Sequence, residues 1–224
     1  GAYQGYAAVA DPHGSILTWT SIEKGGVLIG ENGKRFGDES IGYSAFAKEV
    51  LAQGQYAYAI FDERIYQIAL KEDEFAELSA HGGLKKGGTA TELANTMGLN
   101  APAVEQSLRS YNRSALNGLT DEFERTDFGL APLEPPLYCC RVVPALFHTQ
   151  GGLHVDSEAR VIRNDGKPVP NLYAGGGAAA GISGRIGAAG YASGNGILSA
   201  IALGRVAAIS AARGQESRAN EPHS

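Results

Sequence analysis

Apolar positions along the chain recur with helical spacing in several stretches and run together in short blocks elsewhere, punctuated by glycine, asparagine and proline. Phe46, Val50 and Leu51 fall on one face of residues 43–53, which predicts a helix. Asp62 is suited to cap a second helix that carries Ile65, Ile68 and Leu70. Leu93 and Met97 share a face that ends at Gly98. Asn100 and Pro102 then open a further helix, in which Val104, Leu108 and Tyr111 follow i, i+4, i+7 spacing. Val27-Leu28-Ile29, the turn Gly30-Glu31-Asn32-Gly33 and Lys34-Arg35-Phe36 read as strand, hairpin turn and strand, because Asn-Gly supplies the positive φ of a tight turn. Residues 1–24 are mixed polar and aromatic, with a turn at Asp11-Pro12-His13-Gly14.

The pattern changes after Pro132-Leu133-Glu134-Pro135-Pro136, a stiff connector that marks the expected domain boundary. Residues 138–143, 153–155 and 160–162 predict short strands, with a turn at Asn164-Asp165-Gly166. Asn171-Leu172-Tyr173-Ala174 predicts another strand, running into Gly175-Gly176-Gly177. Residues 195–212 are strongly helical and rich in Ala, Leu and Ile, and the polar residues 213–224 predict a disordered tail.

Composition bounds the possibilities. A chain of 224 residues, 43% hydrophobic, can bury a core. Its formal net charge of -5 gives no electrostatic reason to expect nucleic acid or an anionic membrane as partner. No apolar run reads as long enough to span a bilayer, no signal peptide opens the chain, and no metal site is expected. The adjacent Cys139 and Cys140 would close only a strained ring, so they read as small buried thiols in a reducing, cytoplasmic setting. Glycine is 31 of 224 residues, against a usual share of about 7%. The glycines cluster between 151 and 196, as backbone does when it turns sharply or approaches a large cofactor. The chain opens Gly1-Ala2-Tyr3 with its single methionine at position 97, and so reads as starting in the middle of a domain.

Two stretches carry candidate chemistry. Gly175-Gly176-Gly177-Ala178-Ala179-Ala180 after a strand matches a loose dinucleotide pattern, but later glycines break the helix that should follow, and no acid appears near position 195. Gly194-Asn195-Gly196 stands before a long apolar helix, where free N–H groups favour an anion such as a reduced flavin. An ordinary asparagine N-cap on a core helix reads equally well there.

Together with Gly151-Gly152-Leu153-His154-Val155-Asp156, Gly204-Arg205 and Gly33-Lys34-Arg35-Phe36…Glu39, these stretches resemble the fumarate reductase/succinate dehydrogenase flavoprotein superfamily over residues 20 to 210. The resemblance implies a mixed α+β or α/β fold, with a capping-domain portion in residues 1–140. Residues 141–212 would be the C-terminal lobe of a Rossmann-like FAD-binding domain. The loop that holds the FAD pyrophosphate is not in this sequence, so a missing N-terminal FAD-binding segment is the implied partner. Gly175, Gly176 and Gly177 would approach FAD, and Gly194, Asn195, Gly196 and Ile197 would set the helix N-terminus at the flavin ring. His148, in His148-Thr149-Gln150-Gly151-Gly152, and Arg185 match family residues that grip substrate carboxylates.

Departures from the family are equally specific. Tyr43 stands where a proton-delivering arginine is expected, Thr18-Trp19 and Ile22 lack the acid and base of its relay, Gly177 replaces a glutamate, and residues 186–193 are inserted. Tyr43 or Tyr191 could then act as acid/base, or either could be a packed aromatic. The expected activity is FAD-dependent hydride movement across a C–C bond beside a carboxylate or carbonyl. Its substrate would be a small carboxylate, as in tricarballylate dehydrogenation, or an enone of the 3-ketosteroid kind. The alternative is a non-catalytic capping fragment or binding module that holds no flavin.

Overall fold

The computed structural model describes residues 3–182 and 194–219, the last five by their backbone alone. Two compact units emerge: Gly5–Leu146, and Gly1–Gln4 with Phe147–Ser224.

The larger unit is built on an antiparallel sheet. Its strands are β1 (Tyr3–Ala10), β2 (Val27–Gly30), β3 (Ala57–Asp62), β4 (Lys85–Gly87) and β5 (Leu137–Thr149). The order is β1-β5-β3-β2, with β4 on the start of β5. β3 is buried at all six positions, as a central strand covered on both faces must be. Its register sets Ile60 against Val27 on one side and Cys139 on the other. Burial pushes the Cys140 thiol up to about 12 and holds the Cys139 thiol well above its ordinary value.

Helices cover the sheet: α1 (Thr20–Glu23), α2 (Tyr43–Leu51), α3 (Glu63–Ala69), α4 (Asp73–Ala80), α5 (Ala90–Met97) and α6 (Ala101–Asn117). The expected caps form. An Asp62 carboxylate oxygen accepts from the Ile65 amide at 3.2 Å, and the Asn100 side chain accepts from Ala103 at 3.1 Å. Val104, Leu108 and Tyr111 are buried as their spacing predicts, whereas Leu51, at the end of α2, is 70% exposed.

One expectation about this unit is corrected. Residues 34–36 form no strand: the hairpin turn closes with the Gly33 amide on the Gly30 carbonyl at 2.9 Å, but only Arg35 bridges back, to Ile29. The proline stretch is tied to the larger unit at Leu133: Asn112 of α6 accepts from the Leu133 amide at 2.8 Å and donates to its carbonyl at 2.9 Å. The two compact units divide after Leu146, within β5.

The smaller unit pairs β6 (Arg160–Ile162) with β7 (Pro168–Tyr173) and adds α7 (Asn195–Ala219). Val161, Ala174 and Ala179 form its core, with Val155, Val169 and Leu203 packed on them. The expected strand over 153–155 contributes two isolated bridges, Leu153 to Ala179 and Val155 to Val161. α7 also runs through much of the expected tail, since Gln215, Glu216, Arg218 and Ala219 are all good helix formers. Residues 220–224 lie outside the described residues. A 20-residue stretch of α7, Asn195–Gly214, has mean hydropathy 1.4, with 11% of its apolar window buried. By length and composition it could cross a bilayer, contrary to the expectation that no such run exists.

Candidate active site

β5 delivers His148 and Thr149 to the smaller unit, and the chain then turns through Gln150, Gly151 and Gly152. Backbone bonds bind this turn to the segment after β7. The Gly181 amide donates to the Gln150 carbonyl at 3.0 Å, and Leu153 exchanges bonds with Ala178 and Ala180 at 2.9 Å each. The approach is close enough to demand glycine: a Cβ at Gly152 would stand 2.3 Å from the Ala179 carbonyl oxygen.

The triple glycine divides its roles. A Cβ at Gly175 would meet Leu203 and Gly204, and one at Gly176 (φ +56°) would meet Ala200, so both abut α7. Gly177 has open space where its Cβ would be. It lies on the 3-10 turn Gly176–Ala178, not on the helix that a nucleotide fingerprint requires. At the helix entry, the Gly194 carbonyl accepts from the Leu198 amide at 2.9 Å. Gly194 therefore occupies the capping position, and Asn195 is the first helical residue rather than the cap.

A cavity of about 240 Å³ joins these elements, with His148, Gln150, Gly177, Ile182, Asn195 and Gly196 in its wall. Gly176 also reaches it, while Gly175, Gly194 and Ile197 are not in the lining, and Ile197 is largely exposed. No carboxylate lines it among the described residues. The amides of a first helical turn have no intrahelical acceptor and carry positive partial charge, so this end of α7 suits an anionic group. The bare backbone at Gly177 and Gly196 leaves room for a flat ring edge. The volume is below the ~300 Å³ at which pockets enclose a drug-sized ligand, so these residues fit one edge of FAD rather than the whole molecule.

Of the other expected site residues, Arg185 and Tyr191 lie outside the described residues. Tyr43 is the first residue of α2 in the larger unit, half-buried, its ring 5.0 Å from Tyr6 and 6.4 Å from Trp19 between centroids. Thr18, one residue earlier, donates its hydroxyl to Glu72 at 2.5 Å, and Ile22 is core.

The Gly33-Lys34-Arg35-Phe36…Glu39 element has a structural duty. Arg35 grips Glu39 through Nε and Nη2 at 3.1 and 2.6 Å and reaches Asp121 at 2.5 Å, while Arg125 adds a bond to Glu39 at 2.9 Å. Burial works against the Arg35 charge, but Glu39 and Asp121 outweigh it and raise its pKa. Arg125 and Asp121 carried no local signal in the sequence. Gln150 also escaped sequence reasoning, as the variable position between His148 and the two glycines; its Nε2 lies 3.3 Å from His148 Nδ1.

The FAD binding domain family matches residues 5–197, and the chain belongs to it. The superfamily resemblance read from the motifs holds, and FAD is the family's cofactor. Among relatives, the NADH:acrylate oxidoreductase of Vibrio harveyi is 32% identical over 207 residues, 91% of this chain and 20% of that protein. A probable fumarate reductase of Shewanella frigidimarina (strain NCIMB 400) is 29% identical over 94% of this chain and 35% of its own length. Among solved structures, the open conformation of a flavocytochrome c3 fumarate reductase matches with TM-score 0.67 and 28% identity, covering 94% of this chain and 36% of that one. The 3-ketosteroid-Δ4-(5α)-dehydrogenase from Rhodococcus jostii RHA1, in complex with 4-androstene-3,17-dione, matches with TM-score 0.63 and 28% identity over 94% and 41%. The chain thus spans about a fifth to two fifths of the length of these relatives.

Proposed function

We propose that this chain is the substrate-cap and C-terminal portion of an FAD-dependent oxidoreductase that moves hydride across a C–C bond next to a carboxylate or carbonyl. The observation that carries the reading is the cavity that brings His148 together with Gly177, Asn195 and Gly196. When bound, FAD supplies the hydride acceptor or donor. The residues of the chain then hold the substrate. A ring N–H of His148 donates to a substrate oxygen, and Arg185 gives the second, forked contact. Both stabilise the negative charge that builds on that oxygen. Tyr43 or Tyr191 exchanges the proton at the neighbouring carbon. The N-terminus of α7 lends positive partial charge to an anionic ring edge. Acrylate and fumarate in the relatives' names are unsaturated acids, and 4-androstene-3,17-dione is an enone. Both present C=C conjugated to C=O, which suits this donor set.

An FAD-binding segment, corresponding to the part of the relatives that this chain does not match, completes the site and covers the apolar side of α7. The test is co-production of the chain with such a segment. The complex should bind FAD and show flavin absorption, and it should turn over fumarate, acrylate or a steroid enone. His148→Ala should keep the flavin and lower turnover by about 10²–10³-fold, as loss of one oxyanion donor does. A complex that takes up no flavin under any reconstitution condition refutes the reading. It would favour instead a non-catalytic cap module, for which the small volume of the cavity, about 240 Å³, is the supporting observation.

A further inference from the structure

Gln150, between His148-Thr149 and the paired glycines, has contacts through both its backbone and its side chain. The Gln150 carbonyl accepts from the Gly181 amide at 3.0 Å, which fixes its backbone. Its side-chain amide lies directly over the Gly181 Cα: a Cβ there would come 1.6 Å from Oε1 and 2.7 Å from Cδ. Gly181 is thus a cradle for the Gln150 side chain. With Oε1 on the Gly181 side, Nε2 faces the imidazole, 3.3 Å from His148 Nδ1. Both side chains line the same cavity.

An amide nitrogen can only donate, so the ring nitrogen it meets must accept. In a neutral imidazole the other nitrogen then carries the proton, because the partner at one ring nitrogen sets the tautomer. We infer that Gln150 is a positioning residue for His148: through Nε2 it makes Nδ1 an acceptor and so favours the Nε2–H tautomer of the neutral imidazole, the form able to donate through Nε2 to a substrate oxygen. The offer to substrate rests on the proposed oxidoreductase role; the tautomer itself does not. Gly181 acts one step further back, by leaving the space that the Gln150 side chain occupies.

The test needs neither flavin nor turnover. The chain is labelled with ¹⁵N-histidine, its His148 resonances are identified by their absence in His148→Asn, and spectra are taken at a pH where every imidazole is neutral. The wild-type chain should show an unprotonated Nδ1 and a protonated Nε2. Gln150→Glu places a carboxylate that can only accept, and should shift His148 to the Nδ1–H form. Gln150→Leu removes this contact and Gly181→Ala displaces it; both should raise the share of the Nδ1–H form above that of wild type, with helical circular dichroism retained. A wild-type His148 in the Nδ1–H form, or a tautomer that is the same in wild type and Gln150→Glu, overturns the inference. If the tautomer responds as expected but the flavin-loaded complex is inactive, the inference about Gln150 stands and the oxidoreductase reading falls.

Discussion

Glu39 accepts from both Arg35 and Arg125 and from the Leu28 amide at 3.0 Å, with its side chain fully out of solvent. Removing its charge leaves two buried guanidinium groups short of a counterion, and breaking such a pair costs about 3–5 kcal/mol. Glu39→Gln should therefore lower the denaturation midpoint of the larger unit steeply; a urea titration that superimposes on wild type would contradict this account. Glu63 gives the contrasting case on the surface. Hydrogen bonds from Gln67, Lys86 and Tyr138 lower its pKa to about 2, against about 4.3 in an unfolded chain. Its folded value is the lower one, so its contribution is present above about pH 4.3 and is lost as the pH falls towards 2. The side chain is 35% exposed, and exposed pairs contribute little. Glu63→Gln should flatten the acid limb of thermal stability slightly in that window and leave neutral pH almost unchanged. Equal acid limbs in the two proteins would show that the hydrogen bonds are not held in solution. Cys139 and Cys140, buried with raised pKa values, should resist alkylation until the chain is unfolded; labelling in native buffer, read by mass spectrometry, would refute their burial.

At the level of elements, the close approach of residues 150–153 to 178–181 depends on the missing Cβ of Gly152. The atom it would strike is a backbone oxygen, which cannot swing aside as a side-chain tip can. Gly152→Ala should break the Leu153 bonds, and amide exchange at Leu153 and Ala180 should then approach solvent rates; retained protection there would contradict the geometry. The same comparison explains what the sequence could reveal. Helices α3 and α6 were legible because their signals are local: Asp62 and Asn100 cap within their own first turns. β1 was not, since its Gly5, Ala7, Ala8 and Ala10 give little apolar contrast, although the last three are buried. β3 was missed for a similar reason, its buried run including two alanines, and residues 34–36 were over-read because Arg35 serves the ion cluster rather than a sheet. His148, Gly177 and Asn195 could be placed together by the order of their motifs. Gln150 could not, because its duty arises only where Gly181 folds back over it.

For the whole molecule, the decisive fact is the exposed side of α7: Ile197, Leu198 and Ile201 are 69%, 58% and 68% exposed within the first two turns. Contiguous exposed apolar surface of this kind marks an interaction face, and the relatives are about two and a half to five times as long as the portion matched here. An FAD-binding segment seated on this face would bury the two isoleucines, each worth about 1.5–3 kcal/mol. Ile197→Glu with Ile201→Glu should then weaken assembly with that segment by more than about 100-fold, read by titration calorimetry or by loss of co-purification. The same double variant should make the chain alone less prone to self-association in sedimentation velocity, because it removes apolar surface. A bilayer is the competing cover, since the 20-residue span has mean hydropathy 1.4. Flotation with neutral lipid vesicles separates the two. Wild-type chain that floats, together with assembly indifferent to the double substitution, would assign the face to lipid; chain that stays in the dense fraction and loses its partner on substitution would assign it to the FAD-binding segment.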